Sequence, residues 1–191
     1  MENNDQNIIR KAIHLFIEKV SQNEIDIYNE FSLQHELGIV IRNHTNGLKV
    51  QFERNISYFN LENNNFVKKE IDISIFHENE LVCCIELKYP KNGQYPEQMF
   101  SFCKDIKFME QVKRAGFKKT FVIIFADDEC FYNPKNSSKI IYGYFRNRLR
   151  LTGKVTKPTG SKKEELFIKG SYTIVWNDIK DSLKYTIVEI Q

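Results

Sequence analysis

The sequence predicts an α/β fold, and three observations carry that reading. Apolar residues recur at helical spacing over Asn7–Val20 and again over Asp26–Arg42. Between Leu48 and Pro90 the spacing changes to the period of two that marks strands. A further helical stretch then leads into Lys119–Ala126 (KTFVIIFA), a short apolar run suited to a central strand buried on both faces. Counted from the second helix, the order is helix, three strands, helix, strand (αβββαβ), over about residues 24–126. Residues 131–191 read as a β-rich basic extension, and 191 residues suffice for one domain with a sizeable core.

Each element has its own warrant. Ile8, Ile9, Ala12, Ile13, Leu15, Phe16, Ile17 and Val20 form the broad apolar stripe of the first helix. In the second, Ile27, Phe31, Leu33, Leu37, Val40 and Ile41 are the inward positions, and Gly38 marks a close-packing point. His44–Gly47 is a stop signal. Leu48–Phe59 alternates loosely as a first strand, and Asn60–Asn65 is turn material. Ile71, Ile73 and Ile75 then alternate with Glu70, Asp72 and Ser74. After a turn at His77–Glu80, Cys83, Ile85 and Leu87 alternate with Cys84, Glu86 and Lys88, so the two cysteines face opposite sides. Pro90–Pro96 is a loop. A helix follows from Pro96 to about Ala115, with proline in its first turn and Gly116 as its cap. In the extension, Ile140–Phe145 reads as a strand with aromatic faces and Gly153–Lys163 as a flexible basic loop. Strands are expected at Leu166–Lys169, Ser171–Trp176 and Tyr185–Ile190, with a tight turn at Gly170.

Composition narrows the function classes. Apolar and charged fractions of 41% and 28% are ordinary for a globular protein. No run of 18 apolar residues exists, so no membrane partner is expected. The polar, acidic start MENNDQNIIRK is unlike a signal peptide, and the reading is cytoplasmic. The four cysteines lack CxxC spacing and the histidines lack HxH or HExxH, which argues for reduced thiols and against a zinc site. No GxxxxGK[ST] loop occurs, so nucleotide-driven work is not expected. The net charge of +3 is unevenly spread. Residues 1–130 carry 16 basic and 20 acidic side chains; residues 131–191 carry 12 and 5. Between Glu129 and Glu164 lie nine basic residues and no acidic one: Lys135, Lys139, Arg146, Arg148, Arg150, Lys154, Lys157, Lys162 and Lys163. Such a block suits a phosphate backbone, and it equally suits a solvated loop.

The chemistry concentrates in VKKEIDISIFHENELVCCIELKYP, residues 67–90. If its two strands pair antiparallel, Asp72, Glu86 and Lys88 converge on one sheet edge. Converging carboxylates repel and raise each other's pKa unless a cation lies between them. Mg2+ accepts carboxylate oxygens readily, and an adjacent ammonium can orient water or stabilise phosphoryl charge. Acidic-x-Lys occurs three times (Glu86/Lys88, Asp105/Lys107, Asp178/Lys180), but only the first lies in a strand pattern behind an Asp on another strand. Asp105 and Lys107 read as surface or inter-helix pairs, and Asp127-Asp128-Glu129 as loop entry.

Asp72, thirteen residues, then Glu86-Leu87-Lys88 resembles the signature of the PD-(D/E)XK nuclease superfamily, with Ile71 in the proline slot. That superfamily includes type II restriction endonucleases, RecB-like exonucleases and archaeal Holliday-junction resolvases. The resemblance implies a restriction-endonuclease-like core, a central mixed sheet flanked by helices. It implies Mg2+ as cofactor, with Mn2+ substituting, held by Asp72, Glu86 and the Leu87 carbonyl. Lys88 would orient the attacking water. A glutamate from the first core helix often joins the site; Glu36 is the candidate and Glu30 its competitor, since six residues are about 600° of helix and cannot share a direction. Gln98 stands where RecB-like members carry a glutamine, although Phe102 replaces their tyrosine.

The implied activity is Mg2+-dependent, endonucleolytic hydrolysis of DNA, with RNA the other nucleic acid the reading admits. Gln98, Arg146, Arg148, Arg150, Lys154 and Lys157 are the candidate nucleic-acid contacts, and double-strand cleavage would call for a homodimer. The alternative is a catalytically weak nucleic-acid or protein binding module on the same fold. A glycosidase using paired carboxylates is disfavoured, because such sites need no lysine and the chain has one Trp for sugar stacking.

Overall fold

The computed structural model describes residues 2–61, 65–78, 80–91, 93–134, 139–160 and 164–191, with backbone alone for 2–6. Lys135, Lys162 and Lys163 of the basic tract lie outside the described residues, as do parts of the turns expected at 60–65, 77–80 and 133–138.

Two helices open the chain, α1 (Glu2–Ser21) and α2 (Glu30–His44). The second begins where Asn29 accepts the Ser32 N–H at 2.8 Å and Ser32 Oγ accepts the Asn29 N–H at 3.1 Å, a reciprocal capping box. Gly38 is the expected close-packing point: a Cβ there would lie 2.2 Å from the Phe52 ring. Strand β1 (Lys49–Asn55) ends sooner than its alternation suggests, in a 3-10 turn at Ile56–Phe59. Next come β2 (Glu70–His77) and β3 (Glu80–Lys88), then helix α3 (Tyr95–Arg114) and β4 (Lys119–Ala126). A 3-10 turn at Glu129–Phe131 and helix α4 (Ile140–Arg146) lead to β5 (Leu151–Thr156), β6 (Glu165–Tyr172), β7 (Asn177–Lys180) and β8 (Leu183–Glu189).

Among the described residues six strands form one mixed sheet, ordered β1-β2-β3-β4-β8-β7, while β5 and β6 form a separate antiparallel pair. β3 and β4 are parallel, as the intervening helix α3 requires; the other neighbours run antiparallel. Helices α1 and α2 bury one face against Ile73, Ile75, Cys83, Ile85, Phe121 and Ile123. On the other face, α3, α4 and the β5–β6 pair pack on Cys84, Val122, Ile124 and Val188. Cys83 and Cys84 therefore face opposite sides, as alternation demands, and the four cysteines are free thiols. No helix among the described residues is long and apolar enough to cross a membrane.

Four expectations are corrected. Ile140–Phe145 is helical: Ile141, Tyr144 and Phe145 are buried at i, i+3 and i+4, a spacing its aromatic alternation concealed. Gly170 lies inside β6, where its N–H donates to Glu110, so no turn divides the strand there, and of the strand expected at Ser171–Trp176 only the first two residues are strand. Part of the basic loop is strand β5, and Phe31 points outward at 75% exposure because helical rotation of about 100° per residue sets it opposite the buried Leu33 and Val40.

Candidate active site

The site forms where β2 and β3 part. Their register runs from His77/Glu80 to Ile73/Ile85, and Asp72 and Glu86 stand one position beyond. There, side chains replace the backbone ladder. Asp72 Oδ2 accepts the Leu87 N–H at 2.7 Å, and Glu86 Oε1 accepts the Asp72 N–H at 3.3 Å. On the far side of β2, Gln34 Nε2 donates to the Asp72 carbonyl at 2.7 Å and to Glu53 Oε1 at 2.6 Å. Glu53 has a φ of +49°, a left-handed conformation within β1 that turns its side chain toward Gln34.

Helix α3 supplies a third carboxylate. Its apolar side chains from Met99 to Val112 bury a wide face, Ser101, Lys104 and Lys107 keep a partly exposed one, and Asp105 is buried with the first at 1% exposure. Lys68, in the segment leading into β2, donates to Asp105 Oδ1 at 2.8 Å and forms an ion pair with Glu86 Oε2. Asp105 Oδ2 is buried with no hydrogen-bond partner; Lys88 Nζ approaches it only to 3.9 Å. Lys88 instead donates to the Leu87 carbonyl at 2.7 Å and to Glu30 Oε1 at 3.1 Å, while Glu30 Oε2 accepts the Tyr89 N–H at 3.1 Å.

The electrostatics follow from this crowding. Burial pushes Asp72 up to about 6, against the pull of Lys88, Lys68 and the Leu87 N–H. Glu86, wholly enclosed, is pushed well above the carboxylate range by burial first, then by Asp72 and Asp105, with Lys68 opposing. For Lys88, burial acts to lower the pKa, but Asp105, Asp72 and Glu30 outweigh it and hold the ammonium above its ordinary value. Lys68 is likewise held up by Asp105, Glu86 and Asp72 in spite of its burial. Both lysines are therefore cations at neutral pH, suited to orienting groups or stabilising anionic charge rather than to accepting a proton.

Two buried carboxylates, Glu86 and Asp105, and the half-buried Asp72 thus share two ammonium groups, with Glu30 at the rim, and one buried carboxylate oxygen makes no hydrogen bond. An all-oxygen, electron-rich set of this kind fits a hard divalent cation such as Mg2+ in donor chemistry. Asp72, Glu86 and the Leu87 carbonyl, with Asp105 behind them, are the groups that would hold it. As arranged here they are not a ready cage: among the described residues, no three His, Cys, Asp or Glu side chains are grouped to hold a metal ion. Lys68 stands on the Glu86 and Asp105 oxygens that a cation would use.

The remaining expected residues divide clearly. Glu36 is not brought into this cluster; its carboxylate lies 3.4 Å from His35 Nδ1, and the contact from α2 comes from Glu30. The capping box puts Glu30 in the first turn, beside the end of β3, and the intervening rotation carries Glu36 away. Gln98 is half-buried in the first turn of α3, two turns before Asp105 and on the same helix face. Arg146 points inward, donating to the Cys130 carbonyl at 2.8 Å from Nε and stacking 3.8 Å from the Tyr142 ring centre. Arg148 and Arg150 are exposed. Lys154 pairs with Glu165 at 2.8 Å across the β5–β6 hairpin, and Lys157 lies 3.9 Å from Glu164. Two lysines of the acid-free tract, Lys154 and Lys157, therefore lie against the two glutamates that end it. Asp127 and Asp128 hold loops, bonded to Tyr89 and Lys91 and to Tyr95 and the Cys130 N–H.

Asp105 and Lys68 were not legible as site residues from local sequence. Asp105 reads as a helix-surface acid; the available signal is that its neighbours at i−3, i+1 and i+4, Phe102, Ile106 and Met109, are apolar, which places it beside the buried face of α3. Comparison with protein-family models, with curated proteins and with solved structures returns no match to this chain.

Proposed function

We propose that the protein is a Mg2+-dependent nuclease of the PD-(D/E)XK type, with the restriction-endonuclease-like form of the α/β fold, hydrolysing DNA phosphodiester bonds endonucleolytically. The observation that carries this reading is the meeting of Asp72, Glu86 and Lys88 at the parting of two strands, beside the buried Asp105, where three carboxylates meet two ammonium groups. Asp72 and Glu86, with the Leu87 carbonyl, would hold the metal; Mg2+ supplies Lewis-acid stabilisation of developing phosphoryl charge. Lys88, fixed by Glu30 and the Leu87 carbonyl, presents a permanent ammonium to the attacking water or the scissile phosphate. Glu30 takes the role that the sequence offered to Glu36. Tyr28 and Phe31, exposed at 69% and 75% on either side of Glu30, give flat apolar surfaces beside the site for nucleobases. Farther along the same end of the sheet, a pocket lined by Tyr132, Arg148, Trp176 and Lys184 combines cations with aromatic rings. Cutting both strands of a duplex would need two copies of the chain.

A second reading, a binding module on the same fold with weakened catalysis, is favoured by one observation: Lys68 already neutralises Glu86 and Asp105. Plasmid, linear and single-stranded DNA and an RNA of matching sequence, incubated with Mg2+, Mn2+ or EDTA, separate the two. The nuclease reading expects metal-dependent cleavage reduced at least about 100-fold in Lys88→Ala. Salt-sensitive retention without cleavage would establish the binding module. Neither cleavage nor retention would overturn both.

A further inference from the structure

We propose that the Lys68 ammonium and a divalent cation are alternative occupants of the pocket between Glu86 and Asp105, so that Lys68 gates metal loading. The inference rests on the cation-dependent reading of the site and adds two residues to it: Asp105 as a wall of the cation pocket, and Lys68 as its resident plug.

The argument begins with the oxygens. Lys68 Nζ is in contact with Glu86 Oε2 and, at 2.8 Å, with Asp105 Oδ1. These carboxylates are 0% and 1% exposed, so any cation that neutralises them must enter the same small volume. A divalent ion and an ammonium cannot both contact these two oxygens without strong mutual repulsion. Charge balance favours exchange: two buried acids and the half-buried Asp72 meet two ammonium groups, and a doubly charged ion in place of Lys68 draws the acids into their ionised form and balances them. Asp105 Oδ2 is a second, independent pointer. It is fully enclosed, accepts no hydrogen bond and lies 3.9 Å from Lys88, leaving a donor position unfilled in a place where unmet polar atoms are costly.

The way Lys68 is mounted suits a gate. The backbone on either side is fastened: the Val67 N–H donates to Gln111 Oε1 at 2.9 Å, Gln111 Nε2 donates to the Asn65 carbonyl at 2.6 Å, and the Lys69 carbonyl accepts the Ile56 N–H at 2.8 Å. The side chain itself is 29% exposed. Its four methylenes can carry the ammonium out to solvent by bond rotation alone, leaving the chain trace unchanged. Occupancy would then follow the local concentration of divalent cation, and a substrate that brings its own cation would shift the exchange in the same sense.

Calcium and manganese, added alone to the full chain without nucleic acid, provide the test, read by titration calorimetry and by the rise in Tm. Lys68→Met keeps the length of the side chain and removes the competitor; it is expected to bind the ion at least about tenfold tighter than the parent protein and to show the larger rise in Tm. Lys68→Arg, which keeps the charge, is expected to stay at the parent affinity or below. The double variant Lys68→Met/Asp105→Asn is expected to lose the gain. If Lys68→Met does not fold in EDTA, refolding on adding calcium, followed by circular dichroism, supports the proposal, and failure to refold overturns it. Equal affinity in Lys68→Met and parent also overturns it, as does a gain that survives Asp105→Asn. Because no cleavage is measured, a parent protein that never cuts nucleic acid would sink the nuclease reading and leave this result intact.

Discussion

Two acids on helix α3, five residues apart, are buried to nearly the same degree and are treated in opposite ways. Glu110 is surrounded by donors: the Lys169 N–H at 3.0 Å, the Gly170 N–H at 2.6 Å and the Tyr172 hydroxyl at 3.2 Å, with Lys107 at 3.6 Å. It fastens β6 to the helix, and each of its oxygens is used. Asp105 has Lys68 on one oxygen and, on the other, no hydrogen bond and only the Lys88 ammonium at 3.9 Å. The difference separates a structural buried acid from a functional one. The first is satisfied by backbone that cannot leave; the second depends on lysine side chains that can, and keeps an oxygen in reserve.

The contrast is broken most severely at Glu110. Glu110→Ala leaves two backbone N–H groups and a hydroxyl without acceptors in a buried place, and is expected to cost about 3 kcal/mol or more, measured by urea unfolding. A loss under about 1 kcal/mol would show that the clamp is not what holds β6.

Asp72 acts with the opposite sign. Its folded pKa, near 6, lies above the ordinary 3.8, so the folded state binds the proton more tightly than the unfolded chain does. Stability is therefore expected to fall as pH rises through the window from about 4 to 6, and to level off above it. Asp72→Asn removes this slope: in EDTA it should stabilise the protein by up to about 3 kcal/mol at pH 7.5 and by nothing at pH 4. Glu86, raised by the same burial, contributes a slope of the same sign that this variant leaves in place. A variant less stable than the parent at pH 7.5 would mean that the lysines already satisfy the site.

The smallest effects are expected on the hairpin. Lys154→Ala breaks an exposed pair with Glu165 and should change stability by less than about 0.5 kcal/mol. It should also change nucleic-acid retention little, because Glu165 already neutralises it. Arg148→Ala, in the pocket with Trp176 and Lys184, should lower the salt dependence of retention by about one counterion. Equal effects from the two variants would remove the distinction between a self-paired and an open cation.

Much of this was legible where local pattern and long-range packing agree. Lys119–Ala126 is a strand over the full run that its continuous apolar character marks out, and Ile73/Ile85 alternation brings Asp72 and Glu86 to neighbouring positions. Lys88 follows from the same period of two. What stayed hidden depends on contacts that local pattern cannot encode. Ile140–Phe145 satisfies both periods, and only the burial of Ile141 with Tyr144 and Phe145, together with the Trp176 Nε1 bond to the Phe145 carbonyl at 2.8 Å, favours the helix. Glu30 rather than Glu36 reaches the site because a cap at Asn29 fixes the helix phase. Asp105 meets Lys68 across 37 positions of sequence, through a segment held in place by Gln111.

The most direct measurement is single-turnover cleavage of supercoiled plasmid in Mg2+ by the parent protein, Glu86→Gln and Glu110→Gln, each first shown to be folded. The two variants remove one buried carboxylate charge from the same face of the sheet with almost no change of shape. The account expects Glu86→Gln to lose at least about 100-fold in rate and Glu110→Gln to keep parental rate. Equal loss in both, or metal-dependent cleavage undiminished in Glu86→Gln, would contradict it.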